Sequence, residues 1–385
     1  MTTEGWTEPG FERVRAVFAK NLEDGLDVGA SFSAYHRGRP VVDLWGGIAD
    51  PATERAWEQD TLAVVFSTTK GITATCAHRL AQTGQLDVEA PVVEYWPEFG
   101  QAGKAEIPVS QLLSHRAGLP WVDEPHTLAD VLAWDPMIRA LEHQAPVWPP
   151  GTQHGYHAVT FGWLVGEVVR RVCGRSIGAY FREEIAEPLG LDFWIGLPEE
   201  LEPRVATLIG GLSPDSFDEA TRAVIDQFIG PDTMLGKALS VNGAIDSTDA
   251  LDSRAGHAAE LPATGGIGDA RSIAHLYAAI IGEVDGIRIL DPAQMELART
   301  PRTNGPNTVL LGLDLQFGLG YIVPSTLVQV GGDRSFGHFG LGGSGGWCDP
   351  DAELSFGYVM NRLELGLAGD FRIFSLINAC YDAIA

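Results

Sequence analysis

The stretch "AVVFSTTKGITA", residues 63–74, decides how this chain is read. A strand-like apolar run, "TLAVVF", ends at Phe66. Beyond it Ile72, Cys76 and Leu80 recur every four residues, which predicts a helix with a buried stripe to about Thr83, closed by Gly84. At the junction Ser67 stands three residues before Lys70, and residues three apart on a helix share a face. Lysine is scarce here: Lys20, Lys70, Lys104 and Lys237 are the full set. A serine hydroxyl is a weak nucleophile until a neighbour takes its proton. A lysine does so only when burial or nearby positive charge lowers its pKa. The backbone N–H at a helix start can also hold a developing oxyanion. Taken alone, S-x-x-K is equally well read as a capping serine beside a surface lysine.

Upstream, Phe11, Val14, Val17, Phe18 and Leu22 repeat at helical spacing. Next, "GASFSAYHRGRPVVDLWGGIAD" carries two apolar stretches around a turn at Arg37-Gly38-Arg39-Pro40, a hairpin signal. Downstream the chain reads as helical. "TFGWLVGEVVRRVCG" puts Phe161, Leu164, Val165, Val168 and Val172 on one face and ends on Gly174. "ARSIAHLYAAIIG" is a further helix. From about Gly210 to Pro262 periodicity is weak and Asp, Ser and Gly are frequent, which reads as long loops around short helices that shape a pocket. The last part returns to strands in "QFGLGYIV", "SFGHFG" and "ELSFGYVM", and "GDFRIFSLINACYDAIA" closes it as a helix. The expected organisation is a discontinuous α/β sheet domain from residues 1–80 and 310–385, a mainly helical domain over 81–309, and an active site between them.

Composition narrows the function. The 385 residues carry a net charge of −25, which argues against nucleic acid or anionic membrane surfaces as partners. Apolar residues make up 45% and charged residues 20%, enough for a proper core. No run approaches the ~18 apolar residues of a membrane span, and the N-terminal stretch lacks the basic start and apolar core of a secretory signal. Cys76, Cys173, Cys348 and Cys380 lie far apart and read as thiols of a reducing compartment, so a cytoplasmic location is expected.

Two more stretches carry chemistry. In "PPGTQHGYHAVTFGWL" a forced turn delivers Tyr156 just ahead of a helix. A phenol near a protonated lysine ionises more easily and can pass a proton to a leaving group. In "SFGHFGLGGSGGWCDP" a strand ends in small residues, so a substrate can lie against its backbone. His338 there can donate a hydrogen bond or carry part of a positive charge near neutral pH.

In order and spacing, "STTK" (67–70), "YHA" (156–158) and "HFG" (338–340) resemble the three marks of the serine β-lactamase and penicillin-binding-protein superfamily. The linking text is similar as well: "LLSHRAGLP" at 112–120, "PPGT" at 149–152 and "FREEIAEPLGL" at 181–191. The likeness runs from about residue 25 to the end. It implies the β-lactamase-like (DD-peptidase) fold, an antiparallel sheet flanked by helices with a helical insertion. It implies Ser67 as the acylated nucleophile and Lys70 as its base, alone or shared with Tyr156. Tyr156 then protonates the leaving group, and the N–H groups of Ser67 and Leu341 form the oxyanion hole. Two positions depart from the pattern. Ala158 replaces the asparagine that holds an acyl-amide, and His338 replaces the strand lysine that suits a substrate carboxylate. The chain therefore looks most like the family VIII carboxylesterases of this fold. The expected substrate is a small-molecule ester with a small to medium acyl chain, and the resemblance implies neither metal nor organic cofactor. His338, Phe339, Gly340, Trp121 and Trp347 are the expected substrate contacts. A β-lactamase, amidase, acyltransferase or silent binding protein on the same machinery is the alternative, and a homo-oligomer is left open.

Overall fold

The computed structural model describes residues 2–210, 226–364 and 369–385. Among them, nine strands form one antiparallel sheet. Eight lie on a single path: β1 (Thr3–Thr7), β2 (Gly29–His36), β3 (Arg39–Asp50), β4 (Gln316–Phe317), β5 (Ile322–Val323), β6 (Phe336–Phe339), β7 (Gly345–Asp349) and β8 (Leu354–Met360), in the order β1-β3-β2-β8-β7-β6-β5-β4. The two ends of the chain meet where β2 pairs with β8, with Phe32 opposite Tyr358. The hairpin between β2 and β3 turns on Arg37 and Gly38, both with positive φ, the two-residue geometry that matches strand twist.

Helices cover both faces. Five matter here: α1 (Glu12–Glu23), α2 (Thr69–Gln82), α3 (Thr160–Cys173), α4 (Ala270–Ile281) and α5 (Phe371–Ile384). Neighbouring residues of a strand point to opposite faces, and Gly345 and Gly346 show which helix lies on each. A Cβ on Gly345 would sit 2.6 Å from Ile373 of α5, whereas one on Gly346 would sit 2.4 Å from Tyr277 of α4. Gly357, paired with Gly346, also lies beneath α4, its Cβ position 2.2 Å from the Ala270 carbonyl. Only glycine lets a helix come this near the sheet. Thus α4, which falls in the stretch read as the helical middle, packs on the sheet against β2, β7 and β8.

Several local expectations change. Thr3–Thr7 is an edge strand where the sequence suggested only the following helix, because its side chains alternate between half-buried and exposed without an apolar run. "TLAVVF" supplies just Ala63–Val64, and these join a separate three-stranded sheet with Gly266–Gly268 and Phe193–Ile195. Helix α2 is buried almost all round, not along a stripe. Its polar side chains are satisfied inside: Thr73 donates to the Pro262 carbonyl at 2.6 Å and Thr75 pairs with the Tyr321 hydroxyl at 2.8 Å. Helix α3 ends as read, on Gly174 in the left-handed region. Of the stretch from 210 to 262, residues 211–225 lie outside the described residues. The remainder holds short helices at Met234–Ser240 and Arg254–Ala258 and one turn at Thr248–Ala250. Among the described residues no helix is long and apolar enough to cross a membrane.

Candidate active site

Ser67 sits in a single helical turn, Phe66–Thr68, that runs into α2. Phe66 has φ +45°, a conformation costly for a bulky residue. That sharp entry leaves Ser67 half-buried between the buried Phe66 and Thr68. The turn is pinned from two sides. Thr69 Oγ1 donates to the Phe66 carbonyl at 2.5 Å and accepts from the Gly266 N–H at 2.9 Å. Ser344 Oγ donates to the Val65 carbonyl at 2.7 Å and lies 3.0 Å from Thr68 Oγ1. Gly340 makes this second clamp possible, since a Cβ there would stand 2.2 Å from both Ser344 Oγ and the Val65 carbonyl.

Lys70 is fully buried. Its Nζ is 3.0 Å from Ser67 Oγ, 2.6 Å from the Ala158 carbonyl and 3.0 Å from the Ala263 carbonyl. Burial drives its pKa well below the usual lysine value, favouring the neutral amine. A neutral amine has two N–H bonds and one lone pair. With both N–H bonds donated to the carbonyls, the lone pair faces Ser67.

Tyr156 follows the Pro149-Pro150-Gly151 turn, and its N–H donates to Asn307 Oδ1 at 3.1 Å. Its ring stacks on Phe317, with centroids 5.9 Å apart, and lies 4.8 Å from Lys70 Nζ. Burial raises the phenol pKa, and a hydrogen bond with Ser67 opposes this. A nearby protonated lysine was expected to ease ionisation of this phenol. Instead burial dominates, and the phenol keeps its proton.

His338 lies on β6, buried, with its ring 6.3 Å from that of Tyr156. Its Nδ1 is 2.8 Å from the Phe339 carbonyl. Burial, the largest cause, pushes its pKa down to about 3. It is therefore neutral, and the expected partial positive charge is absent at pH 7. The bond to the carbonyl requires the Nδ1–H tautomer.

Leu341 follows β6 and Gly340, and among the described residues its N–H has no backbone acceptor. Arg372 of α5 holds the next residue. It donates to the Gly342 and Arg362 carbonyls and pairs with Asp370 and with Asp27 Oδ1, the last at 3.2 Å. Asp27 in turn accepts from the Tyr358 hydroxyl at 2.6 Å.

Ser67 and Leu341 open onto a cavity of about 350 Å³. Ala158, Val159 and Thr264 line it, as do residues between 226 and 251, including Ile229, Leu239 and Ile245. Among its described lining residues none is lysine, arginine or histidine, while Asp226 and Asp246 stand on it, both exposed to solvent. The expected aromatic contacts lie elsewhere. Phe339 and Trp347 are fully buried and stacked on each other at 5.0 Å inside the sheet layer. Trp121 bonds Asp123 and lies beneath Lys237. None of the three lines the cavity. These three rings pack in the core.

Sequence reasoning passed over several residues at this site. His115, within "LLSHRAGLP", packs 5.0 Å from the Tyr156 ring and accepts the His157 N–H at 3.1 Å. Ala263 offers only a backbone carbonyl, which no residue type signals. Ser344 does carry a signal, being the lone polar side chain in "GLGGSGG". Among the described residues no group of three or more metal-ligating side chains occurs.

Known proteins resemble this chain over most of its length. The family described as Beta-lactamase matches residues 15–373. A protein of Mycobacterium tuberculosis (strain ATCC 25618 / H37Rv), Esterase/beta-lactamase LipL, is 39% identical over 376 residues, 93% of this chain and 83% of its own. The crystal structure of a family VIII carboxylesterase has a TM-score of 0.89 and 37% identity, covering 100% of both chains. EstA from Arthrobacter nitroguajacolicus Rue61a has a TM-score of 0.86 and 34% identity, covering 100% of this chain and 99% of its own. Nearly the whole sequence takes part in these matches, and the chain belongs to the beta-lactamase family.

Proposed function

We propose that this chain is a carboxylesterase that hydrolyses small to medium acyl esters through a Ser67 acyl-enzyme. The observation that carries the reading is the buried Lys70 amine, 3.0 Å from Ser67 Oγ and held by two carbonyls. Its lone pair takes the Ser67 proton as the oxygen attacks the ester carbonyl. The N–H groups of Ser67 and Leu341 receive the oxyanion. The ester C–O bond breaks and the alcohol leaves with the Tyr156 proton, which Lys70 then restores to the phenol. In the second half water gives its proton to Lys70 and attacks the acyl carbon. The acyl C–O bond to Ser67 breaks, Ser67 leaves with a proton from Tyr156, Lys70 returns its proton to the phenol, and the carboxylic acid departs.

The cavity lies at the small end of ligand sites, which suits short acyl chains. Its acidic exposed residues and the neutral His338 disfavour a substrate carboxylate, so an ester is favoured over a lactam. The reading includes a cytoplasmic location, supported by four free cysteines, three of them buried.

Intact-protein mass spectrometry tests this. Brief exposure to p-nitrophenyl butyrate should give an acyl adduct and rapid turnover, both lost in Ser67→Ala. A penicillin and a cephalosporin should turn over far more slowly. A folded Ser67→Ala protein with near-normal esterase activity would sink the reading, and faster lactam hydrolysis would put the β-lactamase first.

A further inference from the structure

Ser67 and Lys70 stand on helical turns, but Tyr156 does not: residues 153–157 form neither helix nor strand. A loop residue is held less closely than one on a regular element. Yet Tyr156 has to meet Ser67, and two residues later the Ala158 carbonyl holds Lys70 Nζ at 2.6 Å. Contacts from outside the loop must fix both.

Three successive backbone N–H groups show where those contacts come from. The Gly155 N–H donates to the His115 carbonyl at 3.0 Å. The Tyr156 N–H donates to Asn307 Oδ1 at 3.1 Å. The His157 N–H donates to His115 Nδ1 at 3.1 Å. Both holders are buried and are themselves held. Asn307 Oδ1 also accepts the N–H groups of Val309 and Leu310, at 3.2 Å and 3.0 Å. His115 has φ +58°, a conformation that a side chain keeps only where its surroundings impose it. Its ring centroid lies 4.4 Å from that of Phe317 and 5.1 Å from that of Phe161, as well as against Tyr156. Burial holds its pKa well below the ordinary histidine value, so Nδ1 keeps the lone pair that accepts the N–H.

We propose that His115 and Asn307 form a clamp that takes the place of secondary structure around Tyr156, and that both are positioning residues for the transfer of its proton. This deepens the esterase reading and rests on it. Neither residue lines the cavity, so each acts through Tyr156 and the Ala158 carbonyl. A misplacement of about 1 Å can cost about 10²-fold in rate.

Leaving groups of different basicity separate this role from simple support of the fold. Ethoxide needs a proton in order to leave, whereas p-nitrophenolate leaves without one, so only the ethyl ester depends on the Tyr156 proton in acylation. The kcat/KM for ethyl butyrate should fall about 10²-fold in His115→Gly, and that for p-nitrophenyl butyrate about tenfold or less. The ratio of p-nitrophenyl to ethyl ester therefore rises about tenfold or more. It should rise in Asn307→Ala too. His115→Asn should keep it within about threefold of the wild type, because asparagine Oδ1 stands where Nδ1 stood and asparagine tolerates positive φ. Glycine and asparagine both lose the ring and both accept this backbone, so the acceptor is what separates them. An unchanged ratio in folded His115→Gly and Asn307→Ala, with both esters lowered alike, would overturn the clamp. A ratio raised as far in His115→Asn as in His115→Gly would overturn the role of Nδ1. Should His115→Gly fail to fold, Asn307→Ala decides: a raised ratio supports the clamp and an unchanged one overturns it. Absence of Ser67-dependent turnover with both esters overturns the esterase reading itself; turnover with an unchanged ratio overturns the clamp alone.

Discussion

The turn that carries Ser67 and the loops that line the rest of its cavity are built by opposite rules. Around the nucleophile every neighbour is fixed: Lys70 by two carbonyls, Thr69 by two backbone groups, Ser344 by Val65 and Thr68. These residues are buried and stand on a helix, a strand end and a clamp between them. The second wall comes from short helices and turns between 226 and 251, with Asp226 and Asp246 exposed. Chemistry tolerates only a fraction of an ångström of misplacement, so its groups stand on rigid elements. Recognition can be carried by loops, where a change alters which substrate fits and leaves the reaction itself alone.

Removing the amine attacks the rigid half most directly. Lys70→Met should lower kcat by about 10²- to 10⁴-fold, the usual worth of a general base, with a much smaller change in KM. A loss confined to KM would remove Lys70 from the proton transfer. The wild-type rate should rise with pH as the ammonium becomes the amine, on a limb lying well below 10.5. Stability follows the same proton. The unfolded chain binds it at 10.5 and below, the folded chain only below its lowered value. Between the two the unfolded state holds more protons, so raising pH adds stability. Calorimetric Tm measured from pH 7 to 10 should therefore climb more steeply in the wild type than in Lys70→Met. Parallel slopes would mean that Lys70 is not buried as a neutral amine.

The same contrast explains what could be read from residues alone. The pair Ser67 and Lys70 was legible because helical spacing puts both on one face whatever surrounds them. Tyr156 was legible because a proline-rich turn and a helix start frame it. The protonation of that phenol was not, because it depends on how deeply Phe317, His115 and Phe161 enclose the site. Trp121, Phe339 and Trp347 misled for the same reason: nearness in sequence to a motif does not say which face of a strand a ring takes. The strand Thr3–Thr7 escaped notice because it pairs at the sheet edge, where backbone bonds and not apolar side chains hold it.

Arg372 tests how far the rigid half extends. It lies on the last helix, yet it holds Gly342 beside Leu341 and anchors Asp27. Burial raises the Asp27 carboxyl to about 6 despite that guanidinium, so loss of the arginine strands it further. Arg372→Met should cost about 3–5 kcal/mol of stability, the price of breaking one side of a buried pair. It should also lower kcat, through the loosened Leu341 N–H, with little change in KM. Arg372 is a positioning residue in this account. A variant that loses stability but keeps its kcat below the melting range would confine it to the fold.

The smallest effect belongs to the soft wall. Leu239 lines the cavity and is half-buried. Leu239→Ala widens the space without touching a polar group of the nucleophile turn. One hydrophobic contact in a pocket is worth about 1–3 kcal/mol of discrimination. The ratio of kcat/KM for p-nitrophenyl hexanoate over acetate should therefore rise by about tenfold. A wall that only selects would move this ratio and leave the pH limb of Lys70 where it was. If the limb moves as well, the wall controls the solvation of the amine. The two halves of the site would then be one electrostatic unit, and substrate choice could not be altered without altering the base.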